Sequence, residues 1–150
     1  MKNDELVNAM FMKEKKRRRV YHAPMTELNE IAERVESHLR ESIRVRRKSS
    51  TTRINFGRIF AQCPEYNLMF RFKCQKNGRK LSLVIAKIEF EERLRRKGHG
   101  TAIVHLMIEI ASTYGYPQLM LEAVSPDGMA FGRALGFRKY RDCMYFQGLQ

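Results

Sequence analysis

The hydrophobic positions of this 150-residue chain follow two periodicities, which predict helices and strands in a mixed order. In residues 26 to about 46, apolar side chains recur three or four positions apart, which predicts an amphipathic helix with Thr26 as its N-cap. The apolar positions of that helix are Leu28, Ile31, Val35, Leu39 and Ile43. A short strand, "RRVYHA", is predicted before the helix and ends at Pro24.

Three strands are predicted after this helix. The first shows alternation at Ile54, Phe56, Arg58 and Phe60, and the second places Leu68, Phe70, Phe72 and Cys74 on one face. A tight hairpin turn is predicted at Asn77-Gly78. The third strand, "LSLVIAKIEFE" (81–91), is almost continuously apolar, which is typical of a strand covered on both faces.

The second half of the chain predicts a strand–helix–strand unit. A helix begins near residue 100 and ends at Gly115, and "QLMLEAV" (118–124) follows as a buried strand. Such a unit joins two parallel strands by a right-handed crossover. A short helix capped by Gly136 and a bent strand or hairpin, "FRKYRDCMYFQ", complete the chain. The predicted class is α/β (α+β), with a mixed central sheet of about six to seven strands flanked by helices.

Composition limits the domain organisation. The chain is 43% hydrophobic and contains no run of 18 apolar residues, so we expect one globular core and no membrane span. We interpret residues 1–16 as a basic N-terminal arm and residues 17–150 as a single domain. The N-terminus lacks the residue order of a signal peptide, and the three cysteines form no metal-binding pattern. We therefore expect a cytoplasmic protein without a metal ion.

The net charge of +13 suggests a polyanionic partner. The last fifty residues carry four basic and four acidic side chains, so the excess lies in the first two thirds of the chain. One interpretation is that nucleic acid or an acidic protein contacts residues 13–19 and 44–53. The other is that these segments are only solvated. The oligomeric state stays open.

The stretch "RRKGHGTAIVHLM" (95–107) combines basic residues, two glycines and the start of a helix. Unpaired amides at a helix N-terminus, together with the helix dipole, form an anion-binding site. Glycine at positions 98 and 100 would let the backbone approach a phosphate. The spacing matches neither a Walker A loop nor a dinucleotide fingerprint, and an ordinary strand-to-helix turn remains the alternative.

Two motifs resemble the GNAT superfamily of acyl-CoA-dependent N-acyltransferases. Arg95, Gly98 and Gly100 match the acyl-CoA loop pattern Gln/Arg-x-x-Gly-x-Gly/Ala. "SPDGMAFGRALGF" is similar to the family segment Asn-x-x-Ala-x-x-Phe-Tyr-x-x-Leu-Gly-Phe. The resemblance covers about residues 17 to 147. It implies that the strands at 81–91 and 118–124 splay apart to form a cleft for acetyl-CoA or another acyl-CoA.

The resemblance also implies the residues that bind the cofactor. Backbone groups near Phe90 would pair with the pantetheine arm, and the amides from Lys97 to Thr101 would hold the pyrophosphate. The complete set of cofactor-binding residues implied is Phe90, Arg95, Arg96, Lys97, Gly98, His99, Gly100, Thr101, Ser125 and Phe131. The amine would enter from the opposite side and attack the thioester directly.

The sequence departs from the family pattern at the catalytic acid. The usual tyrosine falls at Gly132, which has no side chain. Tyr140 and Tyr145 are the alternative hydroxyl donors, and Glu89 is the candidate general base. Each of these residues also has a simpler interpretation, as a sheet residue for the tyrosines and as a salt-bridge partner of a nearby arginine for Glu89.

Two functions follow from the sequence. The first is an N-acyltransferase that moves an acetyl group from acetyl-CoA to a primary amine, possibly on a nucleic-acid-associated or acidic partner. The second is a non-catalytic GNAT-fold module that binds nucleic acid or an acidic protein through its basic surface. The intact loop at 95–100 favours the first, and Gly132 favours the second.

Overall fold

A computed structural model of the chain describes residue 5 and residues 21–44, 49–122 and 125–149. The three longer ranges contain three α-helices: α1 (Met25–Ser42), α2 (His99–Thr113) and α3 (Pro126–Ala134). They also contain eight strands: β1 (Tyr21–His22), β2 (Thr52–Asn55), β3 (Arg58–Cys63), β4 (Tyr66–Cys74), β5 (Lys80–Phe90), β6 (Leu119–Leu121), β7 (Phe137–Tyr140) and β8 (Cys143–Phe146). A 3-10 turn at Glu92–Leu94 follows β5.

The strands form one mixed sheet in the order β2-β3-β4-β5-β6-β8-β7, and β1 pairs with β4. All of the pairs are antiparallel except β5–β6, whose parallel strands are joined through α2. This arrangement confirms the predicted mixed sheet with one parallel crossover. The described residues hold eight strands where six to seven were expected.

One additional strand comes from a turn that the alternating pattern concealed. Residues 54–60, predicted as one strand, are the inner parts of β2 and β3, which pair through Ile54↔Ile59 and Asn55↔Arg58. The chain reverses at Phe56 and Gly57, whose φ angles of 50° and 72° are both left-handed. Because the turn has two residues, Ile54 and Ile59 pair directly and lie on one face of the sheet. The hydrophobic pattern by itself does not show that the chain reverses between them.

Helix α1 confirms the predicted amphipathic pattern but not its cap. Leu28, Ile31, Val35 and Leu39 are buried, as the spacing predicted. The N-cap is Pro24 rather than Thr26, and no side-chain hydrogen bond caps the helix. Because the ring of proline fixes φ near −65°, Pro24 holds an extended conformation from which its carbonyl accepts the first helical bond, from Leu28 N at 3.0 Å.

Strand pairing divides the sheet into two faces. In β4, Tyr66, Leu68, Phe70, Phe72 and Cys74 are buried, while the alternate residues are half-buried. The buried set joins the apolar positions of α1 and α2 in one hydrophobic core. We call this the helix face. The second face carries Asn67, Met69, Arg71 and Lys73 on β4 and the residues paired with them on neighbouring strands.

Three further expectations can be compared with the described residues. All three cysteines are free. No group of His, Cys, Asp or Glu in this part of the chain is arranged to hold a metal ion, and no helix there is long and apolar enough to cross a membrane. Some of the predicted segments lie outside the described residues. They are the arm at 1–16 except for Glu5, the basic segment 13–19, and residues 45–48.

Candidate active site

The described pairing of β5 with β6 ends next to a β-bulge in β5. Their parallel pairing ends at Ile85↔Leu121, where Glu122 N donates to Ile85 O at 3.0 Å, yet β5 continues to Phe90. On the β4 side, Lys87 pairs with Met69 and Ile85 with Phe70, so Ala86 is an extra residue in β5. A bulge bends its strand and increases the local twist. The bend at Ala86 thus directly follows the last described pair of β5 and β6.

The basic loop turns sharply into helix α2. Arg96 and Gly98 both have left-handed φ angles, of 61° and 83°, and Gly98 is the N-cap. Ala102 N donates to Gly98 O at 3.0 Å, so the amides of residues 98–101 precede the first helical hydrogen-bond donor. Arg95, Arg96 and Lys97 are exposed around them. The loop thus combines free amides, the positive end of a helix dipole and three cations.

Several predicted cofactor residues meet beside this loop on the helix face. The rings of Phe90 and His99 lie 5.7 Å apart, and Arg95 Nε donates to the carbonyl of Phe90 at 2.9 Å. A methyl group at Gly100 would lie 3.4 Å from Phe131 Cζ, which shows that Phe131 packs next to the start of α2. His99 is half-buried next to Phe90.

Two predicted cofactor residues stand apart from these contacts. Ser125 is the N-cap of α3, and its hydroxyl accepts a hydrogen bond from Gly128 N at 3.0 Å. Thr101 is half-buried in the first turn of α2, with Gly98 on its N-terminal side. Ser125 therefore has a structural role as a helix cap whether or not a cofactor is bound.

All three predicted catalytic residues lie on the second face of the sheet. Glu89 is exposed and pairs with Asn67, while its neighbours Ile88 and Phe90 pack against the core. In the β7–β8 hairpin, the pair Phe137↔Phe146 packs against the core, and successive pairs point to opposite faces. The pairs that contain Tyr145 and Tyr140 therefore point to the second face, which is the face of Glu89. Tyr140 is half-buried, and Tyr145 is 3% exposed.

Charged neighbours on this face are paired. The guanidinium of Arg71 forms an ion pair with Glu122, directly after β6. Glu91, directly after β5, forms an ion pair with Arg93. The candidate site therefore has two sides: the basic loop on the helix face, and Glu89 with two tyrosines on the second face.

Gly132 is buried and packs against the ends of two core side chains, which would have to move to admit a larger residue. A Cβ atom there would lie 2.6 Å from Met144 Sδ and 3.1 Å from Leu121 Cδ2. Met144 and Leu121 pair across β8 and β6 on the helix face. In this structure, the position of the family tyrosine is thus a packing position between α3 and the sheet.

Sequence reasoning missed a hydrogen-bonded group next to Phe90. Tyr66 pairs with Phe90 across β4 and β5, and their rings lie 6.4 Å apart. Its hydroxyl lies 2.6 Å from Thr51 Oγ1, and Thr51 donates through both N and Oγ1 to the carboxylate of Glu36. Burial raises the pKa of Tyr66 to about 12, so this phenol stays protonated at neutral pH. No sequence motif signals this group, because its members are 15 residues apart.

His38 is the second residue that the sequence did not single out. Burial lowers the pKa of the imidazole, Glu41 opposes the shift, and the nearby ring of His99 adds to it. His38 therefore favours the neutral form near pH 7. His38 on α1 thus interacts electrostatically with His99 at the start of α2, and the ring of His99 packs against Phe90.

The Glu36 group predicts a specific dependence of stability on pH. Burial opposes ionisation of Glu36, but hydrogen bonds from Thr51 and Arg40 outweigh it and lower its pKa. A lowered pKa contributes stability above the ordinary pKa, and this contribution is lost as the pH falls through the folded-state value. We expect Glu36→Gln to reduce the free energy of unfolding by about 1.5 kcal/mol at pH 7. Urea titrations should show the difference shrinking below about pH 4.

Glu33→Gln is the matched control, because Glu33 is exposed on the same helix. It should change the free energy of unfolding little at any pH. A difference for Glu36→Gln that stays constant down to pH 2 would contradict the role of its charge.

Comparison with known proteins gives structural matches only. No family model matches the sequence, and no curated protein matches it. Solved acetyltransferase structures do. One is AtaTR bound with acetyl-CoA, with 16% identity and a TM-score of 0.46, covering 59% of this chain and 63% of that chain. Another is nourseothricin acetyltransferase, with 19% identity and a TM-score of 0.43, covering 67% of this chain and 72% of that one.

A third match is Arabidopsis thaliana Naa50 in complex with the bisubstrate analogue CoA-Ac-MVNAL. It has 12% identity and a TM-score of 0.45, and the match covers 85% of this chain and 95% of that chain. The resemblance to the GNAT superfamily that the two motifs indicate stays a prediction. The chain spans less than two thirds of the length of the AtaTR chain that it matches.

Proposed function

We propose that this protein is an N-acyltransferase that moves an acetyl group from acetyl-CoA to a primary amine by direct attack. The observation that carries the proposal is the left-handed Gly98 at the start of α2, a short loop after the end of β5. This geometry would offer an anion-binding helix terminus close to the end of a strand. A phosphate-bearing cofactor with an extended amide arm needs both features.

The residues on the helix face fit coenzyme A. The pyrophosphate would lie at the amides from Lys97 to Thr101, and a Cβ at Gly98 would meet nothing within 4 Å, so this side of the loop is open. The exposed side chains of Arg95, Arg96 and Lys97 would neutralise its charge. The edge of β5 near Phe90, together with Phe131 and Ser125, completes the proposed cofactor site. Bound acetyl-CoA would supply an acyl group activated as a thioester.

The second face would receive the amine. Glu89 is exposed there, and its carboxylate would accept the proton of the ammonium group, directly or through water. A tyrosine hydroxyl would return a proton to the departing sulfur. Tyr140 is half-buried and Tyr145 almost fully buried, so Tyr140 has the better access to solvent and to a ligand. Gly132 offers no hydroxyl, so the proton donor must come from elsewhere.

A non-catalytic module on the same fold is the alternative. The observation that favours it is the packing of Gly132, which removes the usual catalytic acid without leaving space for a substitute. Such a module would bind nucleic acid or an acidic protein through its basic surface. Its binding should weaken steeply as the salt concentration rises.

Thermal stabilisation by acetyl-CoA tests the proposed cofactor. At about 100 times the dissociation constant, a ligand of the folded state adds roughly 2.7 kcal/mol, which corresponds to an increase in Tm of about 5 to 10 °C for this chain length. Release of free thiol with a panel of amines, including lysine peptides and polyamines, then tests transfer. A shift in Tm without thiol release would favour the module, and no shift with any acyl-CoA would refute cofactor binding.

A further inference from the structure

The turn between β2 and β3 presents an aromatic ring to solvent at an energetically unfavourable position. Phe56 is 89% exposed, with φ at 50°, and Gly57 follows with φ at 72°. Asn55 and Arg58 pair directly across this two-residue turn. Turns with two left-handed residues favour Asn-Gly, because asparagine tolerates that conformation far better than a bulky residue. The folding of the hairpin therefore does not account for phenylalanine at this position.

A basic concavity lies beside this ring. It has a volume of about 310 Å³ and is lined by Tyr21, His22, Phe56, Arg58, Arg71 and Lys73. It forms where β1 and β3 approach each other along the same edge of β4, so that a Cβ at Gly57 would lie 2.3 Å from His22. None of the described residues that line it is acidic. Next to it, Glu122 forms an ion pair with the guanidinium of Arg71.

The adjoining part of the second face repeats this combination of cations and aromatic rings. Arg53 lies over the ring of Phe60, with 4.3 Å from Cζ to the ring centroid. Phe60 pairs with Met69, and Met69 pairs with Lys87, so the row continues across three strands. Cations next to apolar rings on an open sheet face are a favourable surface for phosphates and bases together.

We propose that this surface, defined by Phe56, Arg58 and Arg53, binds single-stranded nucleic acid. Unpaired bases have accessible faces that stack on aromatic rings, whereas a duplex hides those faces within its base stack. The ring of Phe56 is the stacking element, and the surrounding cations contact phosphates. An acidic polypeptide would satisfy the cations but would give no reason for an exposed ring. This surface is separate from the loop at 95–100.

The substitution Phe56→Asn separates binding from folding. Asparagine suits the left-handed position, so the variant should melt at the native temperature or higher. Its affinity for a labelled single-stranded RNA or DNA of about 12 nucleotides should fall about 5- to 150-fold, since one base–aromatic stack is lost. Phe56→Trp should retain the affinity. Fluorescence anisotropy at fixed low salt measures both.

Met25→Asn is the matched control, because Met25 is the other large hydrophobic residue exposed in the described part of the chain, at 51%, and lies at the start of α1. It should bind like the native protein. Arg58→Ala should reduce the slope of log affinity against log salt by about 0.7, the value for one phosphate contact on a single strand. Arg133→Ala, an exposed arginine on α3, should leave that slope unchanged.

Three results would overturn the proposal: equal affinity of Phe56→Asn and the native protein, tighter binding of duplex DNA than of the single strand, or equal competition by polyglutamate. The last would identify an acidic polypeptide as the partner. Each measurement is made without acyl-CoA, so its outcome is independent of acyl transfer.

Discussion

Gly98→Glu should abolish the stabilisation by acetyl-CoA and reduce acyl transfer to background. The substituted residue would have to hold a φ of 83° that side chains rarely adopt, and its carboxylate would enter the field of a helix N-terminus meant for an anion. Since a Cβ at this position meets nothing within 4 Å, steric overlap with the rest of the protein does not contribute. Thermal melts with and without acetyl-CoA measure the effect.

Gly78→Glu is the matched control for that experiment. Gly78 also has a left-handed φ, of 84°, and open space around its Cβ position, but it lies in the turn between β4 and β5. The backbone strain and the added charge are therefore the same in both variants. If Gly78→Glu also loses the response to acetyl-CoA, the effect is not local to the loop. A native response in Gly98→Glu would refute the proposed pyrophosphate site.

Gly132→Tyr should destabilise the protein and should not restore a catalytic acid. The first atom of the new side chain would overlap Met144 Sδ at 2.6 Å and crowd Leu121 Cδ2 at 3.1 Å. Overpacking of a core costs 1–3 kcal/mol or more, so we expect the free energy of unfolding to fall by about 3 kcal/mol. Chemical denaturation, followed by a thiol-release assay, tests both parts.

Ala130→Tyr serves as the comparison, because Ala130 is exposed on the same helix. It should change the free energy of unfolding by no more than about 0.5 kcal/mol. An increase in transfer rate for Gly132→Tyr at native stability would show that the tyrosine reaches the cleft and that the packing in this region adapts.

The loop at 95–100 and the helix that follows it could be predicted from the sequence, and their role in cofactor binding stays a prediction. A loop at a helix N-terminus is a local structure, so the spacing of Arg95, Gly98 and Gly100 carried most of the information. The strand pairing around it followed from the order of apolar runs. By contrast, Glu36, Thr51 and Tyr66 come together only through tertiary packing, and no local pattern marks them.

Two local features could have been interpreted better. The core-facing residues Leu83, Ile85, Ile88 and Phe90 are two positions apart except for the three between Ile85 and Ile88, and that change of spacing corresponds to the bulge. At the β2–β3 hairpin, the dipeptide Phe56-Gly57 lacks the asparagine that usually marks such a turn, so the sequence predicts a continuous strand there. The N-cap at Pro24 shows that a neighbouring threonine is a weaker indicator than proline's fixed backbone.

The extra residue in β5 determines the sidedness of the proposed reaction. Leu83 and Ile85 face the core before the bulge, and Ile88 and Phe90 face it afterwards. If Ala86 occupied a regular strand position instead of a bulge, alternation would turn Lys87 and Glu89 toward the core and Phe90 toward the opposite surface. The bulge thus keeps the proposed donor side and the proposed acceptor side on opposite surfaces of the sheet.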